Sequence, residues 1–136
     1  MTYQEIKELQ ELEITALIES SRGFFAFSPS QLEEGMKKIN IKDKADLASL
    51  PNGLIVPKEN AIDTLDGFVS IGKANDERLK NATPKTKREA ILYELNNHEC
   101  YYTGDTTDVI ELFDGIYTEE DINKTFKNKK HLLSND

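Results

Sequence analysis

Apolar positions recur along this chain at helical spacing, broken by two short runs that alternate poorly. Ile6, Leu9, Leu12, Ala16 and Leu17 follow a Thr2-x-x-Glu5 capping box and predict a helix to about Glu19 with those residues inward. Arg22-Gly23 ends it, and Phe24-Phe25-Ala26-Phe27 reads as a short aromatic strand whose rings belong in a core. Ser28-Pro29-Ser30-Gln31 then opens a second helix. Ser28 is the cap, Pro29 takes the first helical position and Gln31 reaches back, with Leu32, Met36 and Ile39 inward. Lys42 to Leu50 is polar enough for a short helical turn. Pro51-Asn52-Gly53 is a turn signal, and Leu54-Ile55-Val56, bounded by Pro57, reads as a strand to be paired with 24–27.

The second half is predominantly helical in pattern. Asn60 to Lys80 carries Ile62, Leu65, Phe68, Val69 and Ile71 at helical spacing, although Gly67 and Gly72 weaken it. Thr83-Pro84 starts a helix to about Glu99 with Ile91, Leu92 and Leu95 inward, and Thr103-Gly104-Asp105 breaks it. A short helix follows from about Thr107 to Phe113, ending at Asp114-Gly115, and Thr118-Glu119-Glu120-Asp121 opens the last one, to about His131. The predicted fold class is α+β: a helix-rich single globular domain over residues 1–136. Five or six helices pack around a small antiparallel sheet of two or three strands, and 124–136 form a basic, frayed C-terminal end.

The 136-residue length suits one domain, and 38% apolar residues suffice for one core, which excludes whole-chain disorder. Cys100 is the single cysteine, so no disulfide framework exists, and a lone thiol fits a reducing compartment. Five glutamates in the first 20 residues exclude a signal peptide, and no apolar run approaches the roughly 20 residues of a membrane span. A cytoplasmic protein of a bacterial cell, with no membrane partner, is expected.

Charge changes this picture most. Residues 1–35 hold seven acids and two bases, residues 36–88 seven acids and eleven bases, and residues 124–136 one acid and four bases. Residues 89–123 hold ten acids, namely Glu89, Glu94, Glu99, Asp105, Asp108, Glu111, Asp114, Glu119, Glu120 and Asp121, and neither Lys nor Arg. Ile91, Leu95, Tyr101, Val109, Phe113 and Tyr117 lie among them, so this is a folded acidic surface rather than a disordered tail.

Candidate chemistry is sparse. His98-x-Cys100 places two reactive side chains about 200° apart on a helix, so they form no dyad, and Cys100 is expected to be buried and structural. Glu94, His98 and Asp105 could converge as metal ligands, but no H-E-x-x-H, second cysteine or calcium loop accompanies them. The bland reading is an i, i+4 Glu94–His98 pair. Tyr102 to Asp108 could form a phosphate- or metal-binding loop, but Gly104 closing one helix and Asp105 or Thr107 capping the next explains it better. Residues 107–126 have a helix-turn-helix outline but no cation before Lys124 to meet phosphate, so direct DNA binding by this face is rejected. Lys85, Lys87, Arg88, Lys127, Lys129 and Lys130 read as solvated helix ends.

Two stretches are informative together: Phe24-Phe25-Ala26-Phe27-Ser28-x-x-Gln31-x-x-x-Gly35, and Tyr93-Glu94-Leu95-x-Asn97-His98-Glu99-x-Tyr101-x-Thr103-Gly104-Asp105-x-x-Asp108. They resemble a family of small acidic proteins, largely of unknown function, carried by phages and mobile elements and including anti-CRISPR inhibitors of type II systems. The resemblance implies a non-enzymatic inhibitor of a bacterial defence nuclease, with no cofactor and no metal, and it carries over no site residue. Charge adds a physical rationale, because an RNA-guided DNA nuclease holds its nucleic acids in Lys- and Arg-rich channels that an acidic surface can fill. The expected partner-binding residues are Glu94, Glu99, Asp105, Asp108, Glu111, Asp114, Glu119, Glu120 and Asp121, with Glu94, Glu99, Glu111 and Asp114 foremost. The alternatives are a small metal-dependent enzyme using Glu94, His98 and Asp105, or an accessory domain of a mobile element.

Overall fold

Helix α1 (Tyr3–Ser20) opens where local chemistry demands. The Glu5 N–H donates to Thr2 Oγ1 at 3.1 Å and the Thr2 N–H to Glu5 Oε1 at 3.0 Å, the two halves of a capping box. Helix α2 (Pro29–Lys38) starts in the same way: Ser28 Oγ accepts from the Gln31 N–H, and Gln31 Oε1 accepts from the Phe27 N–H at 2.7 Å. Two short strands, β1 (Leu47–Ser49) and β2 (Ile55–Pro57), follow, then α3 (Ala61–Lys80), α4 (Pro84–Asn97), α5 (Cys100–Thr103), α6 (Thr107–Leu112) and α7 (Glu119–Ser134). The computed structural model describes the backbone of residues 1–134 and side chains through Asn128, so most of the expected basic end, including His131, lies outside the described side chains. Seven α-helices and one two-stranded antiparallel sheet among the described residues make this a helix-rich α+β protein.

The sheet is built differently from the sequence expectation. β2 pairs with β1, not with 24–27, in the register Leu47↔Pro57, Ala48↔Val56, Ser49↔Ile55. Lys44–Asp46 is the only helical part of the 42–50 stretch, as a single 3₁₀ turn. The Pro51-Asn52-Gly53 turn closes this hairpin locally, with the Leu50 N–H donating to the Leu54 carbonyl at 2.8 Å and the Gly53 N–H to the Leu50 carbonyl at 2.9 Å. A hairpin partner a few residues away costs less chain entropy than one thirty residues away. Phe24 makes one isolated bridge, exchanging two 2.9 Å hydrogen bonds with Ile55. Beyond this bridge the chain turns into α2, whose Gln31 accepts from the Phe27 N–H.

Contacts divide the chain into two compact units, Glu8–Ala74 and Met1–Lys7 with Asn75 onward. In the first, Leu50, Leu54 and Val56 are buried, with Ile18, Ala48, Ala61 and Phe68 packed against them. The Phe24 ring lies on Gly35, where a Cβ would sit 2.2 Å from a ring carbon, so only glycine admits the ring. Phe25 and Phe27 do not enter this core: both are exposed, Phe27 at 87%. Leu12 is also exposed, because it lies about 120° around α1 from the stripe through Ile6 and Leu17. In the second unit Ile6, Leu79, Ala90, Ile91, Leu95, Cys100, Val109, Phe113, Tyr117 and Ile122 are buried together. The Tyr117 hydroxyl donates to the Leu79 carbonyl at 2.9 Å, and Tyr101 stacks on Phe126 at 4.9 Å between centroids.

Candidate functional site

Helix α4 is capped by Thr83, whose hydroxyl accepts from the Thr86 N–H at 3.2 Å, with Pro84 at the first helical position. It buries Ala90, Ile91 and Leu95, and with them Glu94. This overturns the expectation that Glu94 belongs to the contact surface. Its carboxylate accepts from the Tyr3 hydroxyl at 2.7 Å through Oε1, and Oε2 lies 3.5 Å from His98 Nε2. A buried carboxylate requires such partners, and the Tyr3 donor is supplied from 91 residues away. The other imidazole nitrogen, His98 Nδ1, lies 3.9 Å from Asp108. Burial first, and then donation to Glu94, drives the Tyr3 phenol far above the ordinary tyrosine range. The Lys7 ammonium sits 3.8 Å over the Tyr93 ring, completing a cap on this end of α4.

Asp105 does not join Glu94 and His98. It accepts from the Thr107 hydroxyl at 2.6 Å and the Thr107 N–H at 2.9 Å, which holds its carboxyl below the usual range and sets the turn into α6. Asp108 stands beside His98 instead. Among the described residues no group of three or more His, Cys, Asp and Glu side chains is arranged to hold a metal ion. Cys100 is fully buried, and desolvation, followed by Asp105 and Asp108, pushes its thiol upward, which disfavours the thiolate a nucleophile needs.

Asp121 is half-buried and committed to structure. It lies 2.5 Å from the Lys87 ammonium, its backbone N–H donates to Thr118 Oγ1 at 3.1 Å, and the Lys87 hydrogen bond leads in holding its carboxyl low. The remaining candidates, Glu99, Asp105, Asp108, Glu111, Asp114, Glu119 and Glu120, are exposed. Two other features accompany them. Tyr102 is 93% exposed beside them in the sequence, and Glu99 takes a left-handed backbone (φ 56°) at the start of α5. Sequence reasoning missed the Tyr3–Glu94, His98–Asp108 and Lys87–Asp121 contacts, for which the sequence offers no local signal. The i, i+4 spacing of Glu94 and His98 was the one signal available. Away from this region, a groove along α2 is floored by Leu32, Met36 and Ile41 and rimmed by Lys37, Lys42 and Lys44, and it contains none of the candidate acids.

Fold and surface together define a helix-rich α+β protein with a lysine- and arginine-free acidic stretch displayed on short consecutive helices. Its residues 2–133 match the model of a family of unknown function, DUF7659, and the chain belongs to that family. No curated protein and no solved structure matches it. Among the described residues no helix is long and apolar enough to cross a membrane.

Proposed function

We propose that this protein is a non-enzymatic inhibitor, carried by a phage or mobile element, that binds a bacterial defence nuclease in an anti-CRISPR manner. Its acidic face would occupy a basic, nucleic-acid-binding groove in the cytoplasm of the host. One observation carries the reading: seven carboxylates from Glu99 to Glu120 are exposed, with no Lys or Arg anywhere in the 89–123 stretch. A groove built to hold phosphates releases counterions to such a surface as it does to nucleic acid, and the opposed fields accelerate encounter. Glu94 and Asp121 support this surface from below, through Tyr3 and Lys87, rather than contacting the partner. The metal-enzyme reading is less favoured, because Asp105 is turned toward Thr107 and Glu94 toward Tyr3.

The test adds the purified protein to a guide-loaded type II RNA-guided nuclease and follows target-DNA binding and cleavage. Both should fall, and the inhibition should weaken as salt rises. The double charge reversal Glu111→Lys with Asp114→Lys should slow association by about tenfold while leaving the melting temperature nearly unchanged. Cleavage unaffected by an excess of the protein removes the anti-CRISPR reading. Inhibition indifferent to both salt and the reversals removes the acidic face as its cause.

A further inference from the structure

Two glycines lie within α3, and among the described residues only one is packed against by another side chain. A Cβ on Gly67 would lie 2.7 Å from a Leu17 methyl, so that glycine lets α1 pack closely. A Cβ on Gly72 would meet nothing within 4 Å. Glycine weakens a helix interior, and among the described residues no side chain packs where its Cβ would be. On the same helix Ile62 is 74% exposed, Val69 56% and Leu65 40%. At 100° per residue, positions 62, 65, 66, 69, 72, 73 and 76 share one stripe about 120° wide, with the exposed Asp76 beyond Lys73 toward the end of the helix. Asp66 and Lys73, both exposed, lie along one edge of it, and Leu65 and Gly72 along the other.

That arrangement is self-complementary. A twofold axis through Val69 that pairs two α3 helices antiparallel exchanges positions lying equally far before and after it. Leu65 then falls over the partner's Gly72, whose bare backbone receives it. Val69 meets its own copy on the axis, and each Asp66 faces the Lys73 of the other chain. A parallel pairing would instead set Asp66 beside the partner's Leu65 and Lys73 beside the partner's Gly72, leaving both charges without an opposite partner across the seam. We propose that the exposed face of α3 is the interface of an antiparallel homodimer of this chain, with Leu65 seated on the partner's Gly72 and paired Asp66–Lys73 contacts on either side of Val69. One helix face per partner lies at the small end of stable interfaces, so the dimer is concentration-dependent. It uses none of the acidic residues assigned to the nuclease, and it stands or falls independently of that assignment.

Sedimentation equilibrium on the full chain, up to millimolar concentration, should show a reversible monomer–dimer equilibrium. Val69→Arg puts two like charges on the axis and should raise the dissociation constant roughly 100-fold, with helical circular dichroism unchanged because the site is exposed in the monomer. Asp66→Lys should weaken the dimer, and adding Lys73→Asp should restore it. Val69→Cys should form an interchain disulfide under mild oxidation, whereas Phe27→Cys should not. A chain that stays monomeric throughout, a dimer indifferent to Val69→Arg, or a charge swap that fails to restore association would each overturn the proposal.

Discussion

At the residue scale, burial separates side chains that the sequence makes look alike. Phe24, Phe25 and Phe27 are neighbours of one type, yet the Phe24 ring is locked against Gly35 while Phe27 stands in water. Phe27→Ala should therefore change stability by about 0.5 kcal/mol or less. Gly35→Ala forces the Phe24 ring away and should cost about 1–3 kcal/mol. Leu54→Ala, at a fully buried site beside Val56, should cost about 2–5 kcal/mol. Chemical denaturation of the three variants checks the order, and a Phe27→Ala loss as large as that of Leu54→Ala would place that ring in a core after all. Tyr3 is the other decisive residue. Tyr3→Phe leaves the buried Glu94 carboxylate without its 2.7 Å donor and should cost about 1–3 kcal/mol at neutral pH. Because the native phenol titrates above the unfolded one, its contribution is complete below the ordinary tyrosine range and is lost as pH rises beyond it. The wild-type protein should lose stability in alkali, and the Phe variant should lose less.

At the element scale, helix starts are the most locally specified features. The Thr2/Glu5, Ser28/Gln31 and Thr83/Thr86 caps all form between residues three apart, which is why they were legible in the sequence. Thr83→Ala should loosen α4 by about 1 kcal/mol, read as a lower melting temperature. The tie between α4 and α7 is different. Lys87 and Asp121 are 34 residues apart, and both are partly exposed, so screening limits the pair to about 1 kcal/mol or less. Asp121 titrates below its unfolded value, so this contribution is present above the ordinary aspartate range and disappears as pH falls through the lowered native value. Lys87→Met should flatten the acid side of the stability profile slightly, and a profile identical to wild type would show that the pair contributes nothing. Strand pairing was the least legible feature. Residues 24–27 have a more strand-like composition than 47–49, but the turn at 51–53 brings the latter to β2 first.

At the scale of the whole molecule, charge segregation along the chain was visible from the outset and survives folding as exposed carboxylates. What folding changes is membership. Of the nine acids expected at a partner, Glu94 is withdrawn into a hydrogen-bonded interior, and Asp121 is half-withdrawn into an ion pair. A salt titration of any complex should therefore report the exposed seven, and charge reversal at Glu94 should act through lost folding stability rather than through a lower association rate.

The sequence by itself determined the helical content, the helix starts, the turn at 51–53, the burial of Cys100 and the acidic stretch, because each depends on residue type and on spacing within a few positions. Only the tertiary structure decided which strand β2 accepts, which phenylalanine is buried, and that Tyr3 satisfies Glu94. It likewise separated Gly67, which Leu17 covers, from Gly72, where a Cβ would meet nothing within 4 Å among the described residues. These outcomes turn on contacts between residues tens of positions apart. There, competition among packing, hydrogen-bond satisfaction and loop closure selects one partner from several that composition alone leaves equivalent.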